Sequence, residues 1–250
     1  MHLAPSVQTL RRLALALAVA ASAQSARAQV TVYSDDFDVD NTANWVANVA
    51  GVGFNFADFY FDYGTVGIPS APNSTGGTTR GLKLAANLGS AGIFPAGISV
   101  SPLNFGITAN FELRFDLWMN YIKSGQGSTE VGGAGYGTAG TTAQVAGVAD
   151  SVFIGASTDG GTAADYRVYG PGVAISYQDA DHIIRTDPTS PLVYAAGTRN
   201  NTATYYATNF PAQPVPEAQT NLFPRQTGTL APAGTIAFKW HDVKLRKVGK

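Results

Sequence analysis

The sequence predicts an all-β protein, built as an antiparallel β-sandwich or jelly roll, and three observations carry that expectation. Beyond residue 28 no stretch holds apolar residues at helical spacing over helical length. Alternation of β-branched and aromatic residues with polar ones recurs instead, the period of a half-buried strand. Gly, Pro and Asn separate these runs, and 28 Gly with 13 Pro supply the turns that many short strands require.

The expected strands are 29–33, 53–63, 81–86, 97–100, 110–122, 151–157, 165–169 and 234–247. The first alternates Val30 and Val32 with polar residues. The second is aromatic on both faces: Phe54, Phe56, Asp58, Tyr60 and Asp62 on one, Asn55, Ala57, Phe59, Phe61 and Tyr63 on the other. The fifth has the cleanest pattern. It places Phe111, Leu113, Phe115, Leu117 and Met119 toward a core and Glu112, Arg114, Asp116, Trp118 and Asn120 away from it. Asp159-Gly160-Gly161 reads as a hairpin turn between the two strands around it. In the last strand, apolar Val243, Leu245 and Val248 alternate with charged Lys244, Arg246 and Lys247. A Gly turn follows, but no returning strand does, so the sheet is expected to lack its last strands.

Two tracts interrupt the pattern. Residues 124–147 are rich in Gly, Thr and Ala and are expected to loop over a sheet edge. The run Gly132-Gly133-Ala134-Gly135-Tyr136-Gly137 within them lacks the Lys-Ser/Thr pair and following helix of a phosphate loop. Residues 170–234 hold eight of the 13 prolines and are expected as an insertion, either a functional flap or a covering segment with short strands of its own.

At the front, Arg11 and Arg12 precede an apolar run over 13–21, and Ala26-Arg27-Ala28 has the small-x-small form of a signal-peptidase site. The expected division is a signal peptide over 1–28 and one domain over 29–250, exported to the cell surface or medium. Removing the leader takes away three of the 16 basic residues, leaving 13 against 17 acidic ones, a formal charge of −4. That balance argues against a nucleic-acid partner, which needs a basic surface. Charged residues make up only 13% of the chain, so neutral hydrogen-bonding groups must form much of its surface, as suits a protein that meets neutral polymers. With no Cys, stability has to come from the core rather than from disulfides.

The polar face of the fifth strand offers sugar-binding chemistry: the Trp118 indole to stack on a pyranose, and Arg114 and Asp116 to bond its hydroxyls. The bland alternative is a charge ladder in which Glu112 or Asp116 neutralises Arg114. Tyr60, Asp58 and Asp62 are the further ligand candidates, against the alternative of a covered central strand. Asp36, Asp38 and Asp40 place three carboxylates at alternate positions, like the start of a calcium loop, but the turn Gly and closing Glu are missing. Their bland reading is an acidic turn, with Trp45 plugging the core.

Enzyme signatures are mostly missing. Past the leader only His182 and His241 remain, and there is neither a His-Glu-x-x-His nor a Gly-x-Ser-x-Gly motif. The Glu-x-Asp-x-x-Glu run of retaining glucanases fails at Glu112, where Arg114 stands in the Asp position.

The run Trp240-His241-Asp242-Val243-Lys244-Leu245-Arg246-Lys247-Val248-Gly249 resembles the segment of laminin G-type, concanavalin A-like domains that precedes a V-x-W-Y-V-D-G strand. Further segments resemble a group of uncharacterised exported bacterial proteins: Asp35 to Asp38 with Asn44-Trp45, Ile68 to Asn73, Arg80 to Leu84, Leu113 to Trp118 and Asp165 to Arg167. The resemblance implies a concanavalin A-like sandwich, a structural role for His241 in holding a strand edge, and a calcium ion in some members. Members of that bacterial group often end in a surface-sorting tail, so a membrane link is expected only through an anchor beyond Lys250. The functional expectation is a secreted, non-enzymatic protein whose partner is a glycan or cell-surface polymer. A polysaccharide hydrolase or lyase, and a structural surface-layer or matrix component, are the alternatives on the same scaffold.

Overall fold

The computed structural model describes residues 29–51, 53–88, 96–120, 131–137, 139–144, 151–158, 165–169, 201–222 and 229–249. The expected leader, the 159–161 turn, His182 and residues 170–200 of the insertion lie outside these. The chain divides into two units, Met1–Asp35 and Asp36–Lys250. In the first, 29–35 form no strand, contrary to expectation. Val30 and Val32 are exposed there, so the alternation has no apolar surface to settle on.

The second unit is all-β with antiparallel pairing and a few short helices. Its strands are β1 (Trp45–Ala50), β2 (Phe54–Asp62), β3 (Arg80–Leu88), β4 (Gly97–Pro102), β5 (Phe111–Leu117), β6 (Val131–Tyr136), β7 (Val152–Ser157), β8 (Tyr166–Tyr169), β9 (Gln213–Pro214), β10 (Leu230–Ala231) and β11 (His241–Lys247). They hydrogen-bond as the ribbons β1–β4, β2–β3, β5–β11 and β9–β10, and as the three-stranded sheet β6–β7–β8. β2 and β3 also pack against β4, and β1 against β2. No helix among the described residues is long and apolar enough to cross a membrane.

β1 was not expected. Its Trp45 does pack on the core, with its ring 5.9 Å from that of buried Phe59, but the residue also opens a strand whose register runs from Trp45 opposite Pro102 to Ala50 opposite Gly97. β6 likewise replaces the expected edge loop. A Cβ on Gly133 would lie 1.8 Å from the Ile154 carbonyl oxygen, and one on Gly135 would lie 2.6 Å from that of Val152. These glycines let β7 approach more closely than any side chain would allow, so a run that reads as flexible is held as a strand. Consecutive β7 and β8 pair antiparallel, as a hairpin between them requires.

The expected strand over 234–247 is only half formed. Phe238 has φ of 56°, a left-handed conformation that a large side chain rarely adopts, and this corner breaks the extended run. Before the corner, Ala237 makes a single parallel bridge to Met119; after it, β11 pairs with β5. Phe238 is nonetheless buried. With Ala231 and Ala237 it forms a core cluster against which Trp118 and Val215 pack.

Among the described residues of the 170–234 tract, the short strands β9 and β10 pair with each other, and helices α1 (Thr204–Asn209) and α2 (Glu217–Leu222) form that no sequence periodicity announced. Each has six residues, too few for helix propensity to sustain in water. Packing holds α1: Tyr206 stacks on Tyr166 with ring centroids 3.7 Å apart, and Phe210 just beyond the helix meets His241 edge-on at 5.3 Å.

Candidate functional site

β5 and β11 pair residue for residue from Phe111 opposite Lys247 to Leu117 opposite His241. The apolar positions fall on one face, where Leu245 is buried, while Leu113 opposite it stays 37% exposed. The expected core face of β5 is therefore only partly covered. On the other face stand six charges: Glu112 opposite Arg246, Arg114 opposite Lys244, and Asp116 opposite Asp242. Two of these three pairs join like charges, which destabilise a ribbon when directly opposed. Neutralisation runs along the strands instead. Arg114 donates from Nε to Glu112 Oε1, and Lys244 Nζ lies 2.8 Å from Asp242 Oδ2.

One end of this face is closed. Asp116 accepts hydrogen bonds from the backbone N–H of Asn73 at 2.8 Å and from its side-chain amide at 2.7 Å. The Trp118 indole donates to Asn120 at 3.0 Å and lies 5.6 Å from Trp240, edge to face, against the core cluster. Trp240 in turn donates to the Pro69 carbonyl at 2.7 Å and meets buried Tyr63 edge-on at 5.3 Å. The other end is open, and the Arg114 side chain is 56% exposed there.

Tyr60, Asp58 and Asp62 lie on the separate β2–β3 ribbon. A register shift between Asp58 and Phe61 inserts an extra residue in β2 and breaks the expected alternation. Asp58 then faces Lys83 while Asp62 faces Arg80, three positions apart on β3, so the two carboxylates point to opposite sides of the ribbon. The same shift brings Phe61 to the side of Phe56, and Lys83 Nζ sits over both rings, at 4.2 and 5.4 Å. Tyr60 is 39% exposed and carries the Arg80 guanidinium 4.1 Å above its ring. Asp62 accepts from Thr79 Oγ1 at 2.7 Å, and that bond, ahead of the Gly64 N–H and the charge of Arg80, holds its carboxyl below the usual range.

Asp36, Asp38 and Asp40 do not converge. Asp36 accepts from the Thr75 hydroxyl at 3.4 Å, Asp38 from that of Thr78, and Asp40 from the backbone N–H and hydroxyl of Thr42. Among the described residues no three His, Asp or Glu side chains gather as a metal ion would require. Asp36 and Asp38 instead fasten the segment that also reaches Asp116.

His241, paired opposite Leu117, is half-buried, and its Nε2 is buried with no hydrogen-bond partner among the described residues. Burial, reinforced by the charge of Lys239, pushes its pKa down, while a hydrogen bond to the Ile236 backbone pulls the other way.

Sequence reasoning overlooked Asn73, Lys244, Arg246 and Asp242 as members of the charged face. The alternation in β11 was visible, but which strand it faces was not. Compared with protein-family models, with curated proteins and with solved structures, the chain has no match.

Proposed function

We propose that this chain is a secreted, non-enzymatic carbohydrate-binding or cell-surface protein built on a concanavalin A-like, laminin G-type β-sandwich. The observation that carries the reading is the open face of β5–β11, where planar guanidinium and carboxylate groups stand in a row on a rigid ribbon beside the Asn73 amide. Such groups recognise sugar hydroxyls by paired hydrogen bonds, and a strand fixes their spacing better than a loop. Trp118 stands just beyond this row, its half-buried ring edge to face with Trp240. A binding role suits the face better than hydrolysis does: Glu112 is ion-paired and Asp116 is hydrogen-bonded by Asn73, so neither sits in the apolar surroundings of a general acid. Export rests on the leader over 1–28.

The test is retention of the full chain on a panel of immobilised polysaccharides. Binding to at least one is expected, and passage through all neutral and acidic members would overturn the reading. N-terminal sequencing of protein recovered from the medium should begin at Gln29.

A further inference from the structure

We infer that the open end of the β5–β11 face is a subsite for the anionic group of an acidic polysaccharide, a carboxylate or a sulfate, with Arg114, Lys244 and Arg246 as its cradle. The inference rests on the carbohydrate-binding reading and adds the charge class of the ligand. Its starting point is the order of the six charges. Taken together they balance, yet Arg114, Lys244 and Arg246 share one end with Glu112 alone, while Asp116 and Asp242 occupy the other. The acidic end is already committed, to Asn73 and Lys244. At the cationic end Glu112 takes Arg114, and Arg246 makes no ion pair among the described residues.

Geometry brings the three cations within reach of one anion. Directly opposite residues on one face are about 5 Å apart at Cβ, and residues two apart on a strand are separated by roughly 7 Å. Arg114 and Lys244 are such a pair, and Arg246 is the next residue on the same face. Without an anion between them the Arg114–Lys244 opposition is unfavourable; with one it becomes two charge-assisted contacts, and guanidinium supplies the fork that fits carboxylate or sulfate. The chain as a whole is slightly acidic and sparsely charged, with 16 basic residues in 250, so this cluster is not a sample of a generally basic surface.

The experiment compares binding of the full chain and of Arg246→Gln and Lys244→Gln to polygalacturonate, dextran sulfate, unmodified dextran and polyglutamate, at low and high salt. Both variants alter exposed side chains, and thermal melts confirm that they fold. Expected is binding to polygalacturonate or dextran sulfate well above dextran, weakened by salt and weakened about tenfold in each variant, the loss that follows removal of one charged hydrogen bond. Preference between the two anionic polymers tells carboxylate from sulfate. Equal binding to dextran and the anionic polymers, unmoved by either substitution, would overturn the anionic subsite and leave the carbohydrate reading standing. Binding of polyglutamate alone, or of nothing, would remove both.

Discussion

Arg114 and Lys244 stand directly opposite each other on β5 and β11, two cations sharing one face of one ribbon. Neither is neutralised across the ribbon, since each takes its carboxylate partner two residues along its own strand. Exposed ion pairs of that type contribute little, on the order of 0–1 kcal/mol, so they do not remove the cost of the opposition.

Lys244→Thr tests that cost. The substitution removes the like charge and places a β-branched residue in a strand, so stability in urea should rise by a few tenths to about 1 kcal/mol. The same variant should bind anionic polysaccharide less tightly. A gain in stability with a loss of binding marks the pair as functional, and a fall in stability would show that the opposition carries no cost.

Asp116 holds the 68–79 segment through two hydrogen bonds to Asn73. Asp116→Ala should lower stability by about 1–3 kcal/mol, the range for hydrogen bonds to a charged acceptor. Asn73→Ala keeps the backbone bond and should cost less. Chemical denaturation of both variants checks the order, and equal costs would assign the anchorage to the side-chain amide alone.

His241 makes stability depend on pH. Its pKa is lowered in the folded state, chiefly by burial, so the unfolded chain binds the proton more readily. The contribution is intact above the ordinary value of 6.5 and is lost as pH falls from there through the lowered folded value. Thermal midpoints of the wild type should therefore drop between pH 7.5 and pH 5 by more than those of His241→Phe. Parallel curves would show that the buried imidazole is not the group responsible.

Gly133 and Gly106 make a contrasting pair. At Gly133 a new methyl would meet the Ile154 carbonyl oxygen at 1.8 Å, while at Gly106 nothing lies within 4 Å. Gly133→Ala should cost about 3 kcal/mol or more, because backbone and not a movable side chain is in the way. Gly106→Ala should be neutral or stabilise by up to about 1 kcal/mol through the unfolded chain. Urea unfolding of the two variants reads both effects.

Aromatic and β-branched runs set between Gly, Pro and Asn could be read as strands from the sequence, as β2, β3, β4, β5, β7, β8 and β11 show, whereas the Gly-rich β6 and the short β1 could not. Phe111 to Leu117 and Val243 to Leu245 alternate cleanly, and both lie in strands with the expected faces. β6 was hidden because Gly132, Gly133 and Gly135 carry no pattern and have low strand propensity; the closeness of β7, a tertiary fact, makes them a strand. The misreading at Asp58 and Asp62 has a different cause. One extra residue in β2 reverses the faces beyond it, and nothing in a run where almost every residue is aromatic or acidic marks the spot. The candidate site was half visible. Arg114 and Asp116 stood out by alternation, whereas Lys244, Arg246 and Asn73 join them only through register and through a loop that returns from forty-odd residues away.

The chain has three tryptophans, and two of them, Trp118 and Trp240, touch where the C-terminal strand meets the segment around Pro69. Two of the three indoles therefore report on that junction, while Trp45 sits apart beside Phe59. Loosening of the junction should redden and dim the fluorescence ahead of any change at Trp45, giving this protein a built-in optical gauge of whether its last strand is seated.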